Sequence, residues 1–244
     1  MVQEYDTLLN TYKQMLGMVD VFHFNSQNTR DVYEQYLNTP EKSAVVTITH
    51  NGVEDHRKVR TFDGKVLKLG FVGSEAPYKG LPLLKSVIAR INAEGLECRI
   101  HLSIYGGRTG IDEELKNIEY KGRFTSNQME SVYDSMDLLV VPSIWCETFS
   151  LTTIEGLQFG VPVLVSNKVG AKDIVKQYVP QFVFETADDL YQTLKRLVEN
   201  RSELEGYNKN IVEATWQWSM KQHAKDIVKL NSYSMLIQHY LILF

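Results

Sequence analysis

Glu147 and Glu155 stand eight positions apart, separated by Thr148, Phe149, Ser150, Leu151, Thr152, Thr153 and Ile154. Short apolar runs on either side, 138–141 and 162–165, read as buried strands of a parallel sheet. Such a sheet opens toward ligand at the carboxyl ends of its strands, so one pocket could hold both carboxylates. A continuous helix would set them roughly 12 Å apart along its axis. With Ser150 or Thr148 as N-cap, Glu147 instead stays in the loop and Glu155 falls on an early helical turn. The helix N-terminus then lies between two acids. Its unsatisfied N–H groups and positive dipole end suit a phosphate. The carboxylates repel a phosphate but suit hydroxyl donors. Sugar, diphosphate and ribose in a row, the layout of a nucleoside diphosphate sugar, meets all three demands. Taken singly, Glu147 also reads as a solvated loop acid and Glu155 as a first-turn acid favoured by the dipole.

The elements that must position a cation for this site lie upstream. Residues 65–73 read as a strand, 74–78 as a turn and 79–91 as a helix with apolar Leu81, Leu84, Val87, Ile88 and Ile91 on one face. Gly73 lets backbone come close to a ligand, and Lys79 at the head of the helix brings positive charge to it. Neither a Walker A loop nor G-x-G-x-x-G is present. On its own, Lys79 reads as a solvated surface lysine more readily than as a ligand.

Together these segments resemble the donor-binding half of the retaining GT-B glycosyltransferases with the E-x7-E motif, glycosyl transferases group 1 or family 4. Residues 45–53 are similar to the family's interdomain segment, Gly70 to Gly73 with Lys79 and Gly80 to its first donor-domain strand and phosphate lysine, and 100–107 to its second strand. Residues 120–124 and 137–143 resemble the base-binding strand and the approach to the first glutamate. Residues 168–173 resemble the glycine turn after the Pro-Val strand. The resemblance implies a doubly wound parallel α/β sheet, Rossmann-like, as the C-terminal half of a GT-B fold. It divides the chain into a remnant of the acceptor domain with the interdomain segment (1–60), a donor-binding domain (61–200) and C-terminal helices that cross back to the first domain (201–244).

The same resemblance assigns roles. Glu147 contacts the transferred sugar and is the candidate catalytic residue; Glu155 meets the ribose. Lys79 binds the diphosphate with backbone N–H groups of Ser150, Leu151 and Thr152, and main chain at Arg123 and Phe124 meets the base. Gly73, Ser74, Thr148 and Phe149 complete the donor-binding set. Two departures stand out. Ser74 occupies the place of an arginine usual after the first glycine, and Val169-Gly170 with Asp173 replaces the usual glycine pair and glutamate. The resemblance also implies an acceptor domain of which residues 19–37 read as the last strand and helix, so that most of it is expected to lie outside this sequence.

Composition fits an α/β chain with one complete domain: 244 residues, 43% hydrophobic, net charge −4. That charge, without a basic patch carrying interleaved aromatics, argues against nucleic acid as a partner. Cys98 and Cys146 are too few for a disulfide framework or zinc site and point to a cytoplasmic setting; Cys146 reads as a buried small residue. None of the six histidines has metal-ligand spacing, and all read as structural. No apolar run reaches the length of a bilayer helix. The apolar end, 236–244, reads as packing surface that an adjoining domain covers. Self-association there, and peripheral membrane contact at the inner membrane face, stay open.

Strands are expected near 66–73, 98–104, 118–121, 138–141, 162–166 and 181–184. Helices are expected near 79–94, 111–117, 126–136, 150–159, 171–177 and 186–199, then through 203–231 with a break at 216–219, where Trp216 and Trp218 read as packing anchors. The implied chemistry is metal-independent transfer of a sugar, with retention, from a nucleoside diphosphate sugar to a saccharide or lipid-linked saccharide in polysaccharide biosynthesis. No metal or cofactor is called for: Asp-x-Asp is absent, and Lys79 with the helix amides would meet the leaving diphosphate. Two other readings remain. One is a non-catalytic nucleotide-sugar-binding or interaction module that keeps the fold. The other is an unrelated nucleotide-dependent Rossmann enzyme, disfavoured by the missing glycine fingerprint.

Overall fold

The structure is a computed structural model that describes residues 2–19, 21–36, 43–45, 55–217, 219–232 and 240–243. The chain divides into two compact units, Met1–Gly52 with Gln217–Phe244, and Val53–Trp216. In chain order the first unit begins with helix α1 (Val2–Gly17), strand β1 (Val21–Phe24), helix α2 (Gln27–Tyr36) and strand β2 (Ser43–Val45).

The second unit follows with β3 (Leu67–Val72), α3 (Leu81–Asn92), β4 (Ile100–Tyr105), β5 (Thr109–Ile111), β6 (Ile118–Gly122), α4 (Met129–Asp134), β7 (Leu138–Val141), α5 (Leu151–Gln158), β8 (Val163–Ser166), α6 (Lys172–Tyr178), β9 (Val183–Phe184), α7 (Ala187–Glu199) and α8 (Ser202–Glu213). Helix α9 (Met220–Ser232) and strand β10 (Tyr240–Leu243) return to the first unit.

The first unit holds a three-stranded sheet in which β1 pairs in parallel with both β10 and β2. The expected strand and helix over 19–37 are present as β1 and α2. The apolar tail is in part a strand: Tyr-Leu-Ile-Leu is a sequence suited to a pleated ladder, and Tyr240–Leu243 uses it to pair with β1. The rest of that tail, and 46–53 of the expected interdomain segment, lie outside the described residues.

The second unit is a seven-stranded sheet, and its order β5-β6-β4-β3-β7-β8-β9 explains where a ligand would sit. Its six parallel strands, counted along the chain from β3, follow the order 3-2-1-4-5-6, so the direction of winding reverses between β3 and β7. In open parallel α/β sheets such a reversal is where ligands bind, at the carboxyl ends of the strands. Strands β7 and β8 are buried along their whole length, as continuous apolar runs in a parallel sheet must be. Leu81, Leu84, Val87, Ile88 and Ile91 of α3 are all buried, the 3.6-residue stripe expected of that helix. Gly156 lets α5 settle closely on the sheet; a Cβ there would lie 2.8 Å from Leu139 Cδ2 and 2.9 Å from Val163 Cγ2.

One expected helix is absent. Residues 111–117 form no helix; Thr109–Ile111 instead pairs antiparallel with β6 at the sheet edge. Local propensity loses to a distant ionic partner. Asp112, 3% exposed, accepts from Lys85 Nζ (2.7 Å), the Tyr120 hydroxyl (3.0 Å) and the backbone N–H groups of Leu115 (3.1 Å) and Glu114 (3.2 Å). A helix through Asp112 would pull that carboxylate away from Lys85.

The other elements match expectation within a few residues, and the break between the last helices falls at 214–219. Trp216 is half-buried with the Arg57 guanidinium 5.1 Å over its ring; Trp218 lies outside the described residues. Asn208 ties the start of this unit to α8, donating to the carbonyls of Lys58 (3.0 Å) and Gly160 (2.7 Å). Among the described residues no helix is long and apolar enough to cross a membrane.

Candidate functional site

Lys79 closes a 3-10 turn, Pro77–Lys79, that leads from β3 toward α3. Gly80 follows at φ +79°, and the reason for glycine is steric as well as conformational. A Cβ at this position would sit 1.7 Å from the carbonyl oxygen of Pro142, at the end of β7. The head of α3 and the end of β7 are therefore pressed backbone to backbone. The Ile144 N–H donates to the Tyr78 carbonyl at 3.0 Å and reinforces the contact.

This apposition brings Lys79 and Glu147 together. Lys79 Nζ donates to Glu147 Oε1 at 2.9 Å; the Glu147 side chain is 12% exposed and that of Lys79 35%. Ser143 Oγ is a second donor to the same carboxylate oxygen, and it also lies 3.2 Å from the Tyr78 carbonyl. With a single proton to give, the hydroxyl bonds more strongly to the charged acceptor. Ser143 is itself fixed, since its carbonyl accepts from Ser166 Oγ at 2.6 Å. The loop carrying Glu147 is sewn to the one after β8: Glu147 N–H donates to the Lys168 carbonyl (2.9 Å) and Ala171 N–H to the Phe149 carbonyl (2.8 Å).

Helix α5 starts at Leu151, with Ser150 at the N-cap position and Glu147 in the preceding loop. Ser150 departs from an ordinary cap. Its backbone has φ +107°, the one positive φ outside glycine among the described residues, and its side chain makes no capping bond. The hydroxyl instead lies 3.1 Å from Thr152 Oγ1 and accepts from Thr153 Oγ1 at 3.0 Å. Such a backbone costs of order 1–3 kcal/mol, and strain of this kind gathers at binding loops. It leaves the amides that open α5 without a side-chain cap at the end of the helix that favours anions.

Glu155 faces a different neighbour. It is half-buried on α5 and accepts from the Tyr133 hydroxyl of α4 at 2.6 Å. Burial, then the adjacent carboxylate, holds the Tyr133 phenol well above its usual range, so it remains a donor. The two acids thus stand in different settings, Glu147 against a lysine and a serine and Glu155 against a tyrosine.

The remaining expected residues fall at or near the carboxyl edge of the sheet. Gly73 follows β3 at φ +153° with its N–H on the Tyr105 carbonyl, and Ser74 beside it is exposed. Arg123 is exposed after β6; Phe124 is half-buried with its ring edge-on to Tyr105, centroids 5.9 Å apart. Thr148 is exposed, while Leu151 and Thr152 are half-buried. Phe149 is 4% exposed, so its side chain belongs to the core and only its main chain is available to a ligand. Cys146, expected to be buried, is exposed, as are its neighbours Ile144 (57%) and Trp145 (67%), so this stretch of the loop faces outward.

The sequence alone did not single out Ser143 or Tyr133. Ser143 had a usable signal, a hydroxyl at a strand end four positions before the first glutamate. Tyr133 had none, because its link to Glu155 spans 22 residues and two elements. Among the described residues no group of three or more His, Cys, Asp or Glu side chains could hold a metal ion.

Three solved structures share the fold. HepE of Anabaena, solved with UDP and glucose, has TM-score 0.71 and 15% identity over 93% of this chain and 67% of its own. Sucrose-phosphate synthase of Thermosynechococcus elongatus has TM-score 0.70 and 16% identity over 96% and 63%. WaaG, a glycosyltransferase involved in lipopolysaccharide biosynthesis, has TM-score 0.63 and 16% identity over 84% and 62%. The chain thus spans about two thirds of the length of these GT-B structures. No curated protein matches it in sequence. The family model described as glycosyl transferases group 1 matches residues 52–214, which take in β3 through α8 and every candidate site residue. The chain belongs to the glycosyl transferases group 1 family.

Proposed function

We propose that the Val53–Trp216 unit binds a nucleoside diphosphate sugar and serves as the donor half of a retaining, metal-independent glycosyltransferase. The carrying observation is the Lys79–Glu147 pair, a cation and an acid from opposite sides of the β3/β7 reversal, at the loop that leads into the α5 N-terminus. Lys79 and the amides of Ser150, Leu151 and Thr152 hold the diphosphate and meet the charge that grows on it as the glycosidic bond breaks. Glu147 turns from Lys79 to hydroxyls of the transferred sugar, Glu155 takes the ribose, and main chain at Arg123 and Phe124 meets the base. UDP in the HepE structure supports a nucleotide ligand for this fold.

In this reading 61–200 is the donor domain, 1–60 belongs to an acceptor domain with its connection, and 201–244 crosses back. The grouping of Gln217–Phe244 with Met1–Gly52 supports that last point. The acceptor is a saccharide or lipid-linked saccharide in polysaccharide biosynthesis, met in the cytoplasm at the inner membrane face. A non-catalytic nucleotide-sugar module is the second reading. It is favoured by Ser74, which puts no second cation beside the diphosphate, and by Glu147 already occupying Lys79.

Calorimetry with uridine, guanosine and adenosine diphosphates, their glucose conjugates and NAD tests the donor reading. Saturable diphosphate binding that Glu155→Ala weakens roughly tenfold, the loss of about 1.4 kcal/mol, is expected. Absence of binding, or a preference for NAD, contradicts it.

A further inference from the structure

We infer that Tyr133 is a positioning residue for ribose recognition, its hydroxyl holding the Glu155 carboxylate in the orientation that accepts the two vicinal hydroxyls. This rests on the reading of Glu155 as the ribose acceptor. The residue is fully buried, and its phenol oxygen donates to Glu155 Oε2 at 2.6 Å. The ring lies flat on Phe159, with centroids 5.2 Å apart and 8° between planes; Phe159 in turn stacks on His56 at 5.3 Å and 10°. A three-ring column therefore fixes where the hydroxyl points.

A carboxylate can accept from two neighbouring hydroxyls only if its plane is set in advance; otherwise ordering it on binding subtracts from the affinity gained. A glutamate side chain turns about several torsions, and α5 constrains only the first of them strongly. The Tyr133 bond restricts the others. A donor on a separate helix, held in a buried column, keeps such a carboxylate aimed. A cation in the tyrosine's place would hold the carboxylate as well but compete with the neutral ribose for it.

The test uses the full chain, calorimetry, and whichever of uridine, guanosine or adenosine diphosphate binds best, together with its 2′-deoxy and 3′-deoxy forms. The unaltered protein is expected to prefer the ribo form by roughly 10- to 100-fold, the range for hydrogen bonds to a charged group. Y133F is expected to narrow that preference to about threefold or less, weakening the deoxy forms less than the ribo form because each offers Glu155 one hydroxyl instead of two. In an E155Q background the tyrosine substitution should change nothing further.

If the unaltered protein binds none of the three nucleotides, or binds ribo and deoxy forms equally, the ribose reading of Glu155 fails and this inference with it. If the unaltered protein discriminates and Y133F discriminates equally, the inference alone fails. Equal weakening of ribo and deoxy forms by Y133F assigns Tyr133 a general structural role and overturns it too. Should Y133F not fold, 3-fluorotyrosine placed at position 133 keeps ring and bond intact. Its more acidic phenol shifts the ribo preference if that bond sets it, and leaves the preference unchanged if the bond does not.

Discussion

The Lys79 ammonium sits 2.9 Å from Glu147 Oε1, and the two side chains come from the loops after β3 and β7, the strands between which the sheet reverses its winding. The pair closes on itself the cation that a diphosphate would need. On the proposed donor-site reading, binding exchanges one anion for another at Lys79 and releases Glu147 toward the sugar. From this follows the behaviour of E147Q. The neutral amide can still accept from Ser143 but no longer competes for Lys79 or repels phosphate. Bare nucleoside diphosphate should bind about 3- to 10-fold tighter, roughly 1 kcal/mol, while sugar transfer falls by at least about tenfold. Calorimetry alongside a transfer assay reads both, and weaker diphosphate binding by E147Q contradicts the exchange.

Gly80 is the point on which that apposition turns. In G80A the new methyl would overlap the Pro142 carbonyl, which is backbone and has nowhere to retreat, and the φ of +79° is unfavourable for any side chain. The turn must move, at about 2–4 kcal/mol, and Lys79 moves with it. Denaturant melts should show that loss, and diphosphate affinity should fall about tenfold. Unchanged stability in G80A would mean that the two loops do not meet backbone to backbone.

Asp112 predicts a pH effect far from the site. Burial pushes its carboxyl up, but Lys85, the Leu115 N–H, the Tyr120 hydroxyl and the Glu114 N–H outweigh burial and hold it at about 2, down from 3.8. A depressed carboxyl stabilises the fold above its unfolded pKa, about 4, and that contribution is lost as pH falls through about 2. At pH 7 it amounts to about 2 kcal/mol for this nearly inaccessible side chain. D112N should be less stable than the unaltered chain by about that amount at pH 7, with the gap closing from about pH 4 downward. Urea titrations across this range check it, and a gap independent of pH would remove the ionic explanation for the missing helix at 111–117.

What the sequence made legible is what is local. The stripe of Leu81, Leu84, Val87, Ile88 and Ile91, the apolar runs of β7 and β8, and Ser150 as the residue before α5 are all written in neighbouring positions. What it hid is set by partners far along the chain. Lys85 and Asp112, 27 residues apart, cancel a helix that the acids and leucine of 113–116 favour. Lys79 and Glu147 are 68 apart, and their salt bridge depends on a glycine fitting against a proline carbonyl. Ser150 was legible as a cap position, yet its φ of +107° was not, because it is no preference of serine itself.

A crystal structure of the chain with uridine diphosphate is the most direct measurement. Phosphate oxygens should lie within hydrogen-bond distance, about 3 Å, of Lys79 Nζ and of the Leu151 or Thr152 amide, with Glu147 parted from the lysine and the ribose on Glu155. A nucleotide bound elsewhere, or one bound here with the Lys79–Glu147 contact intact and its phosphates directed away from α5, would contradict the donor-site assignment.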